Sequence, residues 1–380
     1  MRQDTESIDR RKDLGYCSRE VIQMPDKPSQ REETTNGTTR AILMRLAPSL
    51  WGVSIAVVTH PLDLIRMMRT GAALKKQVGS KRQERQLPYV IPSHREGMRH
   101  SKSGEANLRP TYLCESNAPE IIAMANELGA FQNSDWGYAE ACFNFLKRKV
   151  DFSFSTPVRG ALRTLQIGEG ICFDKVNLFI ALCRAGGIPA RYKMYNEAFA
   201  EPIYKGLTEE NPIMKAWYDS TGYFIMHTMA EAFIDGKWQP ADFAIPPSYE
   251  AALGMPIGRF GEEPEGIWNW EIPGSAVRFE QLPRGFVLAA NLSLRFMSAI
   301  RLMPVVTARW EEGRQKGQKI LEDMGEEGYD RSVRQSYKAV LPAVSKKLFH
   351  ALKDAHEQAT TPALGKEGAT SESLDSPVKL

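Results

Sequence analysis

The sequence predicts a fold of the α+β class, because a helical period and a strong hairpin signal follow each other along the chain. Between Val176 and Cys183 the apolar residues recur at the spacing of one helix face. Further on, two stretches rich in strand formers flank Asp235-Gly236, a dipeptide typical of two-residue hairpin loops. Helical periodicity returns after residue 250, so the C-terminal region is expected to be mainly helical.

The predicted helix begins at a cysteine. A glycine-containing turn precedes Cys172, and Gly186-Gly187 followed by Pro189 ends the helix near Ala185. Unpaired N–H groups in a first helical turn carry partial positive charge, which favours the thiolate, the nucleophilic form of cysteine. The same N–H groups could bind the oxyanion of a tetrahedral intermediate. Taken alone, such a cysteine is more often a small core residue than a catalyst.

The predicted hairpin carries a histidine and an aspartate. With the Asp-Gly dipeptide as its loop, His227 falls opposite Ala244, and Asp242 falls opposite Met229. His227 and Asp242 are then diagonal neighbours on one face, with Cα atoms roughly 7–8 Å apart, within reach of a hydrogen bond between longer side chains. For the hairpin alone, the simpler alternative is a pair that faces solvent.

Together the two elements favour a thiol nucleophile with its base. Cys172 would attack an acyl carbonyl, His227 would take the thiol proton, and Asp242 would orient the imidazole. The acyl group would pass through a thioester on Cys172.

The motifs around these residues resemble those of the transglutaminase-like superfamily. In chain order they are Gly170-x-Cys172, Gly187-Ile188-Pro189-Ala190-Arg191, His227-x-x-x-Glu231, Gly236-x-Trp238 and Asp242. The resemblance covers roughly residues 111 to 250. It implies a papain-like α+β core in which a central Cys-bearing helix packs on an antiparallel sheet, and by position it implies Cys172, His227 and Asp242 as the catalytic triad.

Some positions depart from the family's pattern. Phe173 and Met229 stand where the family often has tryptophan. The first keeps an aromatic ring, whereas the second loses one that would pack on substrate. Asp174 and Lys175 are expected as surface residues of the first turn; in a less favoured alternative, Lys175 lowers the thiol pKa. Arg191 is expected to hold structure.

The resemblance leaves the reaction open. The family contains protein cross-linkers, peptidases, amidases that remove glycans from asparagine, and inactive scaffolds. The extra β-domains of the large cross-linking enzymes are not expected here, which favours a hydrolase acting on a peptide or protein amide. The alternatives are a protein-glutamine amine transferase, a non-catalytic binding module on the same fold, and a membrane-surface protein.

Composition limits the remaining classes. The 380 residues are 42% hydrophobic and 25% charged, and a net charge of +3 does not favour a nucleic-acid partner. Five irregularly spaced cysteines are typical of a reducing compartment, so a cytoplasmic location is expected. No P-loop, H-E-x-x-H, paired C-x-x-C or G-x-S-x-G motif is present, and no cofactor or metal is expected.

The chain is predicted to divide into five parts: a disordered tail (1–39), an apolar segment with a basic linker (40–110), the catalytic domain (111–250), a mainly helical region (251–358) and a second disordered tail (359–380). The run from Leu46 to Leu62 has no Lys, Arg, Asp or Glu, so residues 40–70 could be buried or contact a membrane peripherally. Residues 196–221 are expected as a long loop beside the substrate cleft, with Trp217 and Tyr218 as candidate lining residues.

Overall fold

The structure is a computed structural model that describes residue 52 and residues 54–83, 86–154 and 157–360. Outside the described residues lie the predicted tail 1–39, the part of the apolar run that precedes residue 52, and residues 361–380.

The described part contains helices along its whole length. In chain order they are α1 Pro61–Gln83, α2 Pro119–Glu127, α3 Asp135–Lys149, α4 Ala161–Ile167, α5 Cys172–Ala185, α6 Glu201–Thr208, α7 Pro212–Thr221, α8 Pro247–Ala252, α9 Arg284–Ala299, α10 Leu302–Met324, α11 Glu326–Ser336 and α12 Ala343–Thr360. The strands are β1 Asp151–Phe152, β2 Glu169–Gly170, β3 Ala190–Phe199, β4 Phe224–Ile234, β5 Lys237–Ala241, β6 Asn269–Glu271 and β7 Val277–Phe279.

An antiparallel sheet forms one layer of the core. Its order is β5-β4-β3-β6, and β7 also pairs with β3. The short strands β1 and β2 form a separate parallel pair immediately before α5. The sheet therefore carries its longest strands, β3 and β4, at its centre.

Helix α5 packs on β3 and β4 and is also contacted by α2, α3 and α4. Every residue from Phe173 to Ala185 is buried, so this helix runs through the main apolar core. The α+β prediction, with a central Cys-bearing helix on an antiparallel sheet, is confirmed. The expectation that Asp174 and Lys175 lie on the surface is wrong, because both are fully buried in a helix that has neighbours on all sides.

The hairpin has the predicted register. The ladder runs from Ile234↔Lys237 to Ala230↔Ala241. Asp235 (φ 52°) and Gly236 (φ 77°) both adopt positive φ, as a two-residue loop of the mirror-image turn type requires. His227 and Asp242 therefore leave the end of this ladder on the same face, as predicted.

Three segments differ from their expected form. The supposed loop 196–221 is the end of β3 followed by α6 and α7, whose starts carry Pro202 and the N-cap Asn211 with Pro212. The first part of the basic linker is α1, which packs against α10. The stretch 254–285, which lies in the region expected to be mainly helical, contributes β6 and β7 to the sheet.

Within the described residues, no single helix is long and apolar enough to span a bilayer. Helices α9 and α10, bent by 84° at the short break between them, pass that test of length and composition only as a pair.

Candidate active site

The N-terminus of α5 is held in place by a buried carboxylate. Asp174 accepts hydrogen bonds from the backbone N–H of Ile171, at 3.2 Å, and of Arg159, at 2.7 Å. The first of these satisfies an N–H that the helix cannot pair itself. Burial raises the pKa of Asp174 to about 7. Cys172, the first residue of the helix, is thereby fixed relative to the preceding strand β2.

Cys172 is partly buried, and its side chain lines an internal cavity. Burial raises the pKa of the thiol to about 12, and the nearby Glu197 carboxylate adds to this effect. Backbone hydrogen bonding from Thr228 and Phe173 acts in the opposite direction but is weaker. The expected depression of the thiol pKa is therefore wrong, because loss of solvation outweighs the field of the helix terminus.

The predicted hydrogen bond between the hairpin residues is present. Nε2 of His227 lies 2.6 Å from Oδ2 of Asp242, and the other oxygen of Asp242 accepts from the N–H of Ala244 at 3.1 Å. His227 pairs across the sheet with Tyr195 of β3, whose ring meets the imidazole edge to face. The imidazole is therefore held by a carboxylate on one side and an aromatic ring on another.

The two members of this pair shift each other's pKa. Burial, the largest influence on His227, opposes its charge, but the carboxylates of Asp242 and Glu197 together raise its pKa to about 9. Burial likewise opposes charge on Asp242, yet His227 and the Ala244 N–H leave the pKa of Asp242 below its ordinary value. At neutral pH the resting pair is thus an imidazolium and a carboxylate.

A second carboxyl group, which the sequence analysis missed, faces the other ring nitrogen. Oε1 of Glu197 lies 3.6 Å from Nδ1 of His227, and Oε2 accepts a hydrogen bond from the side-chain amide of Asn269. The β3–β4 register shifts between Tyr195 and Glu197, an irregularity of the kind found beside active sites. Burial raises the pKa of Glu197 to about 7. The one signal in the sequence is an acidic residue, beside Asn196, inside a mainly apolar strand end.

Two buried lysines hold the chain after Asp242. Nζ of Lys175 donates to the carbonyl of Phe243 at 2.7 Å, and Nζ of Lys147 donates to the carbonyl of Ile245 at 2.9 Å. Burial lowers the pKa of Lys175 to about 7. Lys175 is thus bonded to the backbone beside Asp242. The sequence analysis expected it either on the surface or next to the thiol.

Cys172, His227, Asp242 and Glu197 all line one cavity of about 220 Å³. Of the two aromatic candidates from residues 196–221, Trp217 lines this cavity. The hydroxyl of Tyr218 instead accepts from the N–H of Phe199 at 2.9 Å and contacts the Ser345 hydroxyl at 3.0 Å.

Phe173 is a wall residue of the cavity, whereas Met229 is fully buried in the sheet. The two positions that depart from the family's tryptophans therefore have different surroundings.

The arginine of the Gly-Ile-Pro-Ala-Arg motif is a structural residue. Nε of Arg191 lies 2.6 Å from Oε2 of Glu231, and its guanidinium stacks over the ring of Trp238 at 3.8 Å. These contacts join β3, β4 and β5 through three of the motif residues. Across the part of the chain that the structure covers, no group of three or more His, Cys, Asp or Glu side chains is arranged to hold a metal ion.

Comparison with known proteins gives one family. Residues 122–243 match the model of the transglutaminase-like superfamily, and no curated protein matches the chain. A solved structure, named "Putative Cysteine Protease from Cytophaga hutchinsonii", is 20% identical, with a TM-score of 0.28. The match covers 50% of this chain and 57% of that chain.

Proposed function

From the match of residues 122–243 to the model of the transglutaminase-like superfamily, we propose that the protein is a thiol hydrolase that cleaves amides through a thioester on Cys172. In this proposal His227 is the general base and acid, and Asp242 orients it. The family match and the site geometry support a thiol enzyme in the broad sense.

One observation carries the proposal. The 2.6 Å bond between His227 and Asp242 lies on a sheet face that lines the same cavity as Cys172, the first residue of a buried helix. A nucleophile, a base and a group that orients the base are the elements of a catalytic triad.

The reaction follows from these positions. His227 takes the thiol proton while sulfur bonds to the acyl carbon, and the resulting oxyanion is stabilised by N–H groups at the start of α5. The C–N bond then breaks, and the imidazolium gives its proton to the leaving amine. Water adds to the thioester with His227 as base, the C–S bond breaks, and the thiol regains its proton.

The resting protonation state constrains this cycle. With a thiol pKa of about 12 and a His227 pKa of about 9, the free site holds a neutral thiol beside an imidazolium. One proton must leave this pair before attack, so activity should rise with pH toward about 9.

The direct test is detection of an acyl-enzyme. The full chain would be mixed with p-nitrophenyl acyl esters and amides, and intact mass would be followed with and without hydroxylamine. We expect a hydroxylamine-sensitive adduct at Cys172 that is lost in Cys172→Ala and slowed at least a hundredfold in His227→Ala. Cys142→Ala, which removes a buried cysteine of the core, is the matched control.

An adduct that persists in Cys172→Ala, or the lack of any adduct across pH 6 to 10, would refute the thiol mechanism. Release of free acid would show hydrolysis. If the acyl group is instead transferred to an added primary amine in preference to water, the protein is a transferase and not a hydrolase.

A further inference from the structure

The cavity beside Cys172 is polar mainly around the reacting groups. Its lining side chains other than apolar ones are Cys172, Glu197, His227, Asp242, Asn269 and Ser293. The first five of these belong to the site and its contacts, and Ser293 lies on α9. The remaining walls are aliphatic or aromatic, and among the residues that the structure describes no lysine or arginine side chain lines the cavity.

The walls come from elements on several sides. Helices α6 and α7 contribute Leu207, Met214 and Trp217, and the sheet contributes Phe199 and Phe224. Apart from the indole N–H of Trp217, these side chains offer only dispersion contacts to a bound molecule.

Helices α9 and α10 form one side of the cavity and indicate its length. The lining residues on α9 extend from Phe286 to Met297, and those on α10 extend from Met303 to Trp310. At a rise of 1.5 Å per residue, these spans are about 16 Å and about 10 Å. We take the cavity to extend along these spans, which gives a volume of about 220 Å³ the shape of a narrow channel.

The volume sets the size of the occupant. An apolar cavity of about 150 Å³ accommodates benzene, so 220 Å³ has room for a hydrocarbon of roughly eight to ten carbons. Three flexible methionines in the wall, Met214, Met297 and Met303, suit a chain that can take more than one conformation.

We propose that the channel binds an unbranched hydrocarbon acyl chain, so that the substrate is an amide of a medium-chain fatty acid. This rests on the proposed thiol chemistry, and it names the acyl group on which that chemistry acts. With the chain in the channel, its carbonyl carbon lies at the polar end, where Cys172 attacks. The C–N bond breaks, the amine leaves with the proton held by His227, and water releases the fatty acid.

The test varies only the chain length. Acylation of Cys172 in the full protein would be measured with p-nitrophenyl esters from acetyl to dodecanoyl, and with phenylacetyl as a compact aromatic donor. Each buried methylene should raise the second-order rate roughly threefold to fourfold up to eight to ten carbons, after which the rate should level off.

Adjacent alanines on α9 provide matched variants. Ala290 lines the channel and Ala289 does not. Ala290→Phe should lower the ratio of the decanoyl rate to the acetyl rate at least tenfold, whereas Ala289→Phe should preserve the whole profile. A circular-dichroism spectrum and a thermal unfolding midpoint that match those of the wild type would establish that the Ala290 variant is folded.

Binding without reaction is a second readout. In Cys172→Ala, decanamide should change the fluorescence of the tryptophans that line the channel, and acetamide should not. Equal acylation by acetyl and decanoyl donors, or a preference for phenylacetyl, would overturn the acyl-chain proposal while the thiol mechanism stands. If no donor acylates Cys172 and decanamide causes no change in fluorescence, both the acyl-chain proposal and the thiol mechanism are contradicted.

Discussion

Glu197 places an additional negative charge in a site that already contains Asp242. Its carboxyl oxygen is 3.6 Å from Nδ1 of His227, and its charge raises the pKa of both His227 and Cys172. Because its own pKa is about 7, it is partly protonated at neutral pH. The ionisation of Glu197 therefore adjusts how readily the thiol–imidazole pair loses its proton.

Replacement of Glu197 by glutamine should make the thiol more reactive. Glu197→Gln removes the charge and keeps an oxygen that can accept from Asn269. The pH at which iodoacetamide alkylation of Cys172 reaches half its maximum should fall by roughly one unit, as expected for loss of a nearby like charge. Labelled sites would be quantified by mass spectrometry from pH 6 to 11.

Glu263→Gln, at a largely exposed position, is the control and should not move the profile. A Glu197→Gln profile that coincides with that of the wild type would mean that this carboxyl does not act on the pair.

At the level of elements, α3 and α8 are joined by a fully buried ion pair. Nζ of Lys147 lies 2.9 Å from Oε1 of Glu250, and the same oxygen accepts from the N–H of Gly258 at 3.1 Å. Burial raises the pKa of Glu250 to about 7, even with Lys147 beside it. A carboxylate there is stable only with its cation.

Lys147→Met should destabilise the fold in a pH-dependent manner. Without the cation Glu250 must be protonated to fold, and this costs more as the pH rises above the unfolded value of about 4.3. We expect a loss of about 3–5 kcal/mol at pH 8 and a clearly smaller loss at pH 5, measured by urea unfolding.

The double variant Lys147→Met, Glu250→Leu should recover much of this stability, since it removes the isolated charge. Arg309→Met breaks exposed pairs with Glu210 and Glu312 and should change the free energy of unfolding by less than about 1 kcal/mol. Equal losses for Lys147→Met at both pH values would contradict the role assigned to Glu250.

Sequence reasoning succeeded where interactions are local. The Asp-Gly loop determines the register of its hairpin, and that register brings His227 to Asp242. Periodicity predicts helix α5, but it does not show how many other elements pack around the helix. The polar residues Asp174 and Lys175 are therefore expected on the surface, although the structure buries both.

Long-range contacts explain the other errors. Glu197 joins the site through a register irregularity between β3 and β4, and Asn269 reaches it from β6, far along the chain. Helices α6 and α7 do have local sequence signals, namely prolines in their first turns and Asn211 as an N-cap. The prediction of a loop did not take these signals into account.

For the whole molecule, buried groups titrate near neutrality. The pKa values of Asp174, Glu197 and Glu250 are raised to about 7, so the folded state binds more protons than the unfolded state between about pH 4.5 and pH 7. Stability supplied by such groups is complete below their unfolded pKa and is lost as the pH rises through 7. The raised pKa of His227 acts in the same direction only above about pH 6.5.

The free energy of unfolding should therefore decrease from pH 4.5 to pH 6.5. Lys175, whose pKa is lowered to about 7, adds stability only above that pH and cannot compensate in this window. Urea unfolding at half-unit intervals would measure the slope, and Glu197→Gln should reduce it. A free energy of unfolding that rises across this window would show that these carboxyls are solvated in the folded protein.

The cavity takes its walls from inside and outside the family match. Cys172, His227 and Asp242, together with the walls from α6, α7 and the sheet, lie within residues 122–243, whereas α9 and α10 lie beyond them. If the channel binds an acyl chain as proposed, mutations in α9 and α10 should change which acyl groups are accepted without altering the reacting groups. Substrate range would then diversify while the chemistry is inherited intact.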